Sequence, residues 1–219
     1  RKRRYKENIF IYNFYSLRKT LLIVFAKAPV KGKVKTRLGK NIGMKKSQGI
    51  YIQLLYHTAK VTRKSKIETI LFANKSDDTL ESIFYHSKKN KLQKGKNLGE
   101  KMENAFLWAF KKSYEKVILI GSDLFSLKDN ILIEAQQALE NFDLVIGPSY
   151  DGGYYLMGMK KMNNKIFKGI PWSTNEVLCS TEKKIKEKKI YYLEIAKDVD
   201  DFNDLKAHPS LYKIYKKNN

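Results

Sequence analysis

Cysteine is almost absent from this chain: Cys179 is the only one. An intramolecular disulfide is therefore excluded, no cysteine-based metal cluster can form, and a reducing cytoplasm is the compartment expected. Long apolar runs are missing too. Leu21–Ala26 is interrupted at once by Lys27, far short of the roughly 18 residues that a membrane-spanning helix needs. It reads as a buried strand. Arginine is scarce after Arg18, with only Arg37 and Arg63 remaining. Arginine is the better bidentate reader of phosphate and guanine, so its scarcity argues against a dedicated nucleic-acid surface. His57, His86 and His208 are isolated, with neither metal-ligand spacing nor a nucleophile beside them.

Lysine is what the chain has in excess. Lys and Arg together number 44 against 22 acids, a formal net charge of +22. Such a field favours phosphate-bearing partners. With abundant Asn, Ile and Tyr, however, the composition also matches a coding bias expressed on surfaces where any charge solubilises. A nucleic-acid-binding module is thus an alternative, but no specific nucleic acid is expected. The 219 residues suffice for one domain with a substantial core.

Residues 1–20 stand apart as a basic N-terminal extension, expected to be flexible or loosely packed. Asn13 and the bulky tyrosines around it disfavour a secretory signal. Weak contact with an anionic membrane surface is the most this segment could make. Residues 21–219 form the domain. There, apolar strand patterns (Leu21–Ala26, Ile67–Ala73, Val117–Ile120, Leu144–Ile146, Tyr154–Met159, Ile190–Leu193) alternate with helical ones. The helical spacing runs through Ile50–Val61, Leu80–Phe84, Leu98–Phe110, Ile131–Leu139 and Thr174–Lys188, with one or two short helices after Asp201. This alternation predicts an α/β domain with a mostly parallel central sheet and helices on both faces, its ligands gathering at the carboxyl ends of the strands.

Four segments at such ends could carry chemistry. Lys27–Gly39 follows the first strand and offers Lys27, Lys31, Lys33, Lys35, Thr36 and Arg37 with two glycines, a combination suited to polyphosphate. It has neither Walker nor G-x-G-x-x-G spacing. Asp123 follows the strand Val117–Ile120 and is either a fixed ligand for a divalent cation or the cap of the next turn. Asp151-Gly152-Gly153 is either a hairpin turn or a place where backbone approaches a ligand. Finally, Asp198, Asp200, Asp201 and Asp204 crowd together in a basic protein. They offer a second metal carboxylate, although one or two could cap the final helix.

In this order the segments resemble the bacterial glycosyltransferase-like "transferase 1" family associated with radical-SAM genes, within the nucleotide-diphospho-sugar transferase superfamily of GT-A fold. The carriers are Phe25-Ala26-Lys27-Ala28-Pro29, Lys35-Thr36-Arg37-Leu38, Gly95 with Leu98–Met102, and Ile120–Asp123. Gly147-Pro148 with Asp151–Tyr155, Trp172-Ser173-Thr174 and Asp198-Val199-Asp200 complete them. The resemblance implies that Lys35 and Arg37 hold a nucleotide's phosphates, with Lys27 nearby and Thr36 in the same loop. It places the Gly95–Gly99 loop beside the base or ribose. Asp123 and Asp200 would ligate Mg²⁺ or Mn²⁺, and Asp151 and Tyr154 would face donor sugar or acceptor, with Gly152, Gly153 and Trp172 lining that region. Two departures stand out: Leu124-Phe125 replace the family's usual Cys-Pro, and the tail element D-I-D-T-P-E-D-L is here Asp198-Val199-Asp200-Asp201-Phe202-Asn203-Asp204-Leu205.

The expected function is metal-dependent glycosyl transfer from a nucleotide-diphospho-sugar to a small-molecule or glycan acceptor. Nucleotidyl transfer from a nucleoside triphosphate, releasing pyrophosphate, is the alternative on the same scaffold. A catalytically degenerate member is a further alternative, against which the retained Asp123 and Asp200 argue.

Overall fold

The computed structural model describes residues 20–185 and 187–217. Among the described residues seven strands form one sheet: β1 (Thr20–Ala26), β2 (Glu68–Ala73), β3 (Asn90–Leu92), β4 (Lys116–Ile120), β5 (Leu144–Pro148), β6 (Tyr154–Met159) and β7 (Ile190–Tyr192). Their order is β3-β2-β1-β4-β6-β5-β7. Only β6 runs antiparallel to its neighbours, β4 and β5. The remaining pairs are parallel, as alternation of strands and helices predicts.

Burial on both faces explains why β1 is a continuous apolar run. Leu21, Ile23 and Phe25 enter one core, and Leu22, Val24 and Ala26 the other. In a strand successive side chains point to opposite faces, so a doubly covered strand has no polar side. One core lies beneath α2 (Met44–Ser65) and α5 (Asp129–Asn141), which follow α1 (Thr36–Ile42) in that layer. The other lies beneath α4 (Leu98–Lys111) and a 3₁₀ turn, Asn164–Phe167. Local signals set several ends: Asp77 caps α3 (Asp78–Ile83), and Asn97 caps α4 by accepting from the Glu100 N–H.

Several expectations need correction. Thr20, assigned to the N-terminal extension, is fully buried as the first residue of β1; the rest of that extension, residues 1–19, lies outside the described residues. The helix expected over Thr174–Lys188 is only α6 (Val177–Lys183). Before it the chain is spent on turns: Thr174 Oγ1 donates to the Pro171 carbonyl, and Ser173 has φ 68°. Residues 36–42, read as loop through Gly39, are helical. Strand β3 gave no sequence signal because it is a three-residue, largely exposed edge. The tail forms α7 (Phe202–Lys206) and α8 (Pro209–Lys217). Among the described residues no helix is long and apolar enough to cross a membrane.

Candidate functional site

Parallel pairing of β1 with β4 sends the loops after Ala26 and Ile120 out of the same sheet edge. β7, parallel to β5, delivers the chain to that edge too, and an isolated bridge between Ser149 and Ala196 prolongs the pairing. Beyond it the Val199 N–H donates to the Asp123 carbonyl at 3.2 Å, joining the last acidic segment to the β4 loop. Between these segments lies a cleft of about 450 Å³. Lys27, Lys33, Lys35, Thr36 and Arg37 line it, together with Ser122, Asp123, Asp200, Gln93 and Leu98.

At its base one ammonium joins two acids. Lys35 Nζ donates to Asp123 Oδ2 at 2.7 Å and to Asp200 Oδ1 at 2.8 Å. The lysine side chain is 4% exposed and the two carboxylates 40% and 44%, so the cation lies beneath acids that still face the cleft. Burial works against the Lys35 ammonium, but Asp123 and Asp200 outweigh it and hold its pKa above the usual lysine range. Arg37 approaches Asp200 Oδ2 at 3.6 Å from the solvent side. Lys35 has φ 44° and ψ 48°, the left-handed region, which costs a non-glycine residue about 1–2 kcal/mol. Such strain persists where surrounding contacts over-determine it.

Of the four clustered acids, Asp200 lines the cleft, and Asp201 and Asp204 build a helix start. Asp201 and Asp204 form a capping box on α7, the Asp201 carboxylate accepting from the Asn203 and Asp204 N–H groups. Asp204 Oδ2 in turn accepts from the N–H groups of Asp200 and Asp201, which fixes the backbone that carries Asp200. Asp198 sits close to the same charges. Burial, then the nearby Asp123 carboxylate, push its pKa up to about 7 despite the opposing pull of Lys35. The sequence offered no way to separate Asp198 from its neighbours.

The donor set fits a hard divalent cation. Asp123 and Asp200 present carboxylate oxygens at one point, already occupied by a cation of the chain itself. Among the described residues no group of three or more His, Cys, Asp or Glu side chains is gathered to hold a metal alone. Phosphate oxygens or water would have to complete the shell, as Mg²⁺ usually requires.

Two supports of the cleft were missed in the sequence. Tyr51, within α2, is 3% exposed, and its hydroxyl meets Ser122 Oγ at 3.2 Å and the Lys27 N–H at 2.9 Å. Burial pushes this phenol up to about 12. Gln93 Nε2 donates to the Phe72 and Ala26 carbonyls, tying the ends of β2 and β1 together. A tyrosine at a helical apolar position and a lone glutamine carry no pattern that distinguishes them.

The other expected site residues have contacts within the chain. Gly99 is buried against Trp172: a Cβ there would lie 2.2 Å from the indole Nε1. Trp172 thus packs on the start of α4. Gly95, with φ 140°, packs against Glu100 at the turn into α4. The Asp151 carboxylate accepts from Ser149 Oγ and the Gly153 N–H, the arrangement of a self-bonded turn. Gly152, at φ 83°, has the Asn175 carbonyl where a Cβ would be. The Tyr154 hydroxyl is buried, and its ring packs on the core beneath α4. In the Leu124-Phe125 departure, Leu124 is 4% exposed in the core, and Phe125 packs between His57 and His208 at centroid distances of 4.8 and 5.4 Å.

Similarities to known proteins accord with this architecture. A candidate nucleotide-diphospho-sugar transferase from Desulfovibrio desulfuricans G20 matches with a TM-score of 0.80 at 26% identity, covering 90% of this chain and 98% of that one. The fold is also that of 4-diphosphocytidyl-2C-methyl-D-erythritol synthase from Anaerococcus prevotii DSM 20548, with a TM-score of 0.60, 13% identity and coverage of 89% and 98%. CMP:2-keto-3-deoxy-manno-octonic acid synthetase, solved with CTP, matches with a TM-score of 0.55, 10% identity and coverage of 90% and 99%. No curated protein matches the chain. Residues 57–174 match the model of a family described as "Uncharacterized protein conserved in bacteria (DUF2064)". With more than half its length matched and the fold in agreement, the chain belongs to the DUF2064 family.

Proposed function

We propose that the protein is a nucleotide-dependent transferase that moves a glycosyl group from a nucleotide-diphospho-sugar, with Mg²⁺ or Mn²⁺ as cofactor. The observation that carries this reading is the meeting of Lys35, Asp123 and Asp200 in a cleft otherwise rich in cationic side chains. Lys35 and Arg37 bind and orient the phosphates, with Lys27 and Lys33 adding positive potential from the loop above. Thr36 contributes a hydroxyl at the same wall. Asp123 and Asp200 hold the cation. Bound there, it supplies Lewis-acid neutralisation of charge on the leaving phosphate. The cationic side chains add stabilisation of the same charge, which grows most valuable as the transition state is reached. Ser122 and Tyr51 keep the Asp123 loop in place. The D. desulfuricans likeness supports the sugar donor. The narrower likeness to radical-SAM-associated proteins and a cytoplasmic location belong to this proposal, as does treating residues 21–219 as the catalytic domain.

A second reading, nucleotidyl transfer from a nucleoside triphosphate, is favoured by the charge of the loop. Lys27, Lys33, Lys35 and Arg37 all line the cleft, and a triphosphate brings more negative charge to meet them.

The test is a thermal-shift screen of nucleotide-sugars and nucleoside triphosphates, with and without Mn²⁺, on the wild type and Asp123→Ala. A ligand at about a hundred times its Kd adds roughly 2.7 kcal/mol, a shift of about 5–10 °C for a chain of this size. A Mn²⁺-dependent shift with a nucleotide-sugar, lost in Asp123→Ala, supports glycosyl transfer. The same result with triphosphates alone moves the assignment to nucleotidyl transfer. If no nucleotide shifts the wild type under either condition, the transferase reading fails.

A further inference from the structure

We infer that Lys35 is a resident counterion for Asp123 and Asp200, one that makes binding of a divalent cation conditional on a phosphate-bearing ligand in the cleft. The inference rests on the proposed nucleotide site but assigns Lys35 a second task there. Phosphate binding and carboxylate pairing draw on the same ammonium, which cannot serve both fully at once.

The charges make the case. Lys35 Nζ lies within 2.8 Å of an oxygen on each acid, and Arg37 adds a guanidinium 3.6 Å from the outer oxygen of Asp200. A divalent cation approaching from the cleft therefore meets two carboxylates whose charge is already partly neutralised. It also meets direct repulsion from an ammonium buried immediately behind them, where water screens poorly. Without another ligand, the site holds its own cation.

A pyrophosphate group changes that balance. It offers Lys35, Arg37 and Lys33 new anionic oxygens on the same wall of the cleft. As Lys35 turns its charge toward phosphate, the two aspartates become available, and the arriving cation can be shared between carboxylate and phosphate oxygens. Cation and phosphate then favour each other, and by linkage the factor is the same in both directions. The strained left-handed backbone of Lys35 fits a side chain set to reach down between the acids. Free cation alone would occupy the site poorly, so an unproductive metal-loaded state without donor is avoided.

Protein-bound Mn²⁺ is measured by ultrafiltration on the wild type, Lys35→Met, Lys35→Gln and Lys35→Arg, first with no nucleotide present and then with inorganic pyrophosphate. Without pyrophosphate, Lys35→Met and Lys35→Gln are expected to bind Mn²⁺ about tenfold or more tightly than the wild type, while Lys35→Arg shows no gain because it keeps the charge. A general loss of structure would weaken binding, not strengthen it, and melting curves on both neutral variants identify any that fail to fold. Pyrophosphate is expected to raise Mn²⁺ affinity of the wild type by about tenfold and that of the neutral variants much less. Neutral variants that bind Mn²⁺ no tighter than the wild type would overturn the inference, as would a wild type whose Mn²⁺ affinity ignores pyrophosphate. If the counterion effect holds with pyrophosphate yet no nucleotide binds, the resident-counterion role stands and the nucleotide-transferase reading falls.

Discussion

The N–H of Val199 donates to the carbonyl of Asp123 at 3.2 Å. This backbone bond pins the chain beside Asp200 to the loop that carries Asp123, and Lys35 then joins the two carboxylates. Behind it, the capping box of α7 fixes the other end of the same short segment.

That arrangement predicts a long-range effect of a helix cap. Asp201→Ala removes the acceptor for the Asn203 and Asp204 N–H groups. It is expected to cost about 1 kcal/mol, seen as a fall in Tm of about 2–4 °C. It is also expected to weaken Mn²⁺ binding in the presence of pyrophosphate, since Asp200 is the next residue. A normal Tm with normal Mn²⁺ binding would show that the box does not hold the carboxylate.

Arg37 separates ligand affinity from stability. Its side chain is 79% exposed, with Asp200 as a solvent-facing partner, and exposed ion pairs of this sort add little to folding. Arg37→Ala should leave Tm unchanged within about 1–2 °C. Loss of a charge-assisted hydrogen bond to phosphate is worth about 1.5–3 kcal/mol, or roughly ten- to a hundredfold in Kd by calorimetry. An unchanged Kd would remove Arg37 from the phosphate site.

Gly99 is expected to tolerate no side chain while Trp172 is present. The methyl of Gly99→Ala would press into the indole at 2.2 Å, inside contact distance for any atom pair. Overpacking of this kind costs about 1–3 kcal/mol. The double variant Gly99→Ala/Trp172→Ala should lose less than the two single losses added together, because the clash disappears with the ring. Strict additivity in urea melts would mean that the chain relieves the contact by another route.

Acid should weaken the fold through His57. Burial, opposed by the Leu127 carbonyl, lowers its pKa below 6.5, and His208 and Lys60 push the same way as burial. The folded state then binds fewer protons than the unfolded one, so His57 contributes stability above pH 6.5 that is lost as pH falls through its folded pKa. His57→Gln should flatten the decline in stability between about pH 7 and 5. A wild-type slope retained in the variant would assign the effect to other groups.

Much of the fold can be read directly from local pattern. Leu21–Ala26 and Val117–Ile120 are apolar at every position because both faces of β1 and β4 are covered, and helical spacing from Leu98 to Phe110 marks α4. The edge strand β3 escaped because exposure leaves no apolar pattern to read. Helix α6 is shorter than its spacing predicts because lysines and polar residues fit a helix as readily as a turn, and Asn175 before it packs against Gly152.

The sequence by itself determined the alternating α/β plan, the placing of basic and acidic segments after strands, and the supply of acids near residue 200. Tertiary structure alone decided which of those groups meet. Lys35 lies 88 residues from Asp123 and 165 from Asp200, and no periodicity reaches across such distances. It also divided the acids, giving Asp201 and Asp204 to a helix cap, leaving Asp200 at the cleft and burying Asp198 near the same charges. The physical reason is range: backbone hydrogen bonding and burial repeat every two or 3.6 residues, so they imprint the local sequence. Contact between charged side chains depends on strand order and on the exit of loops from a common sheet edge, which only the assembled sheet defines.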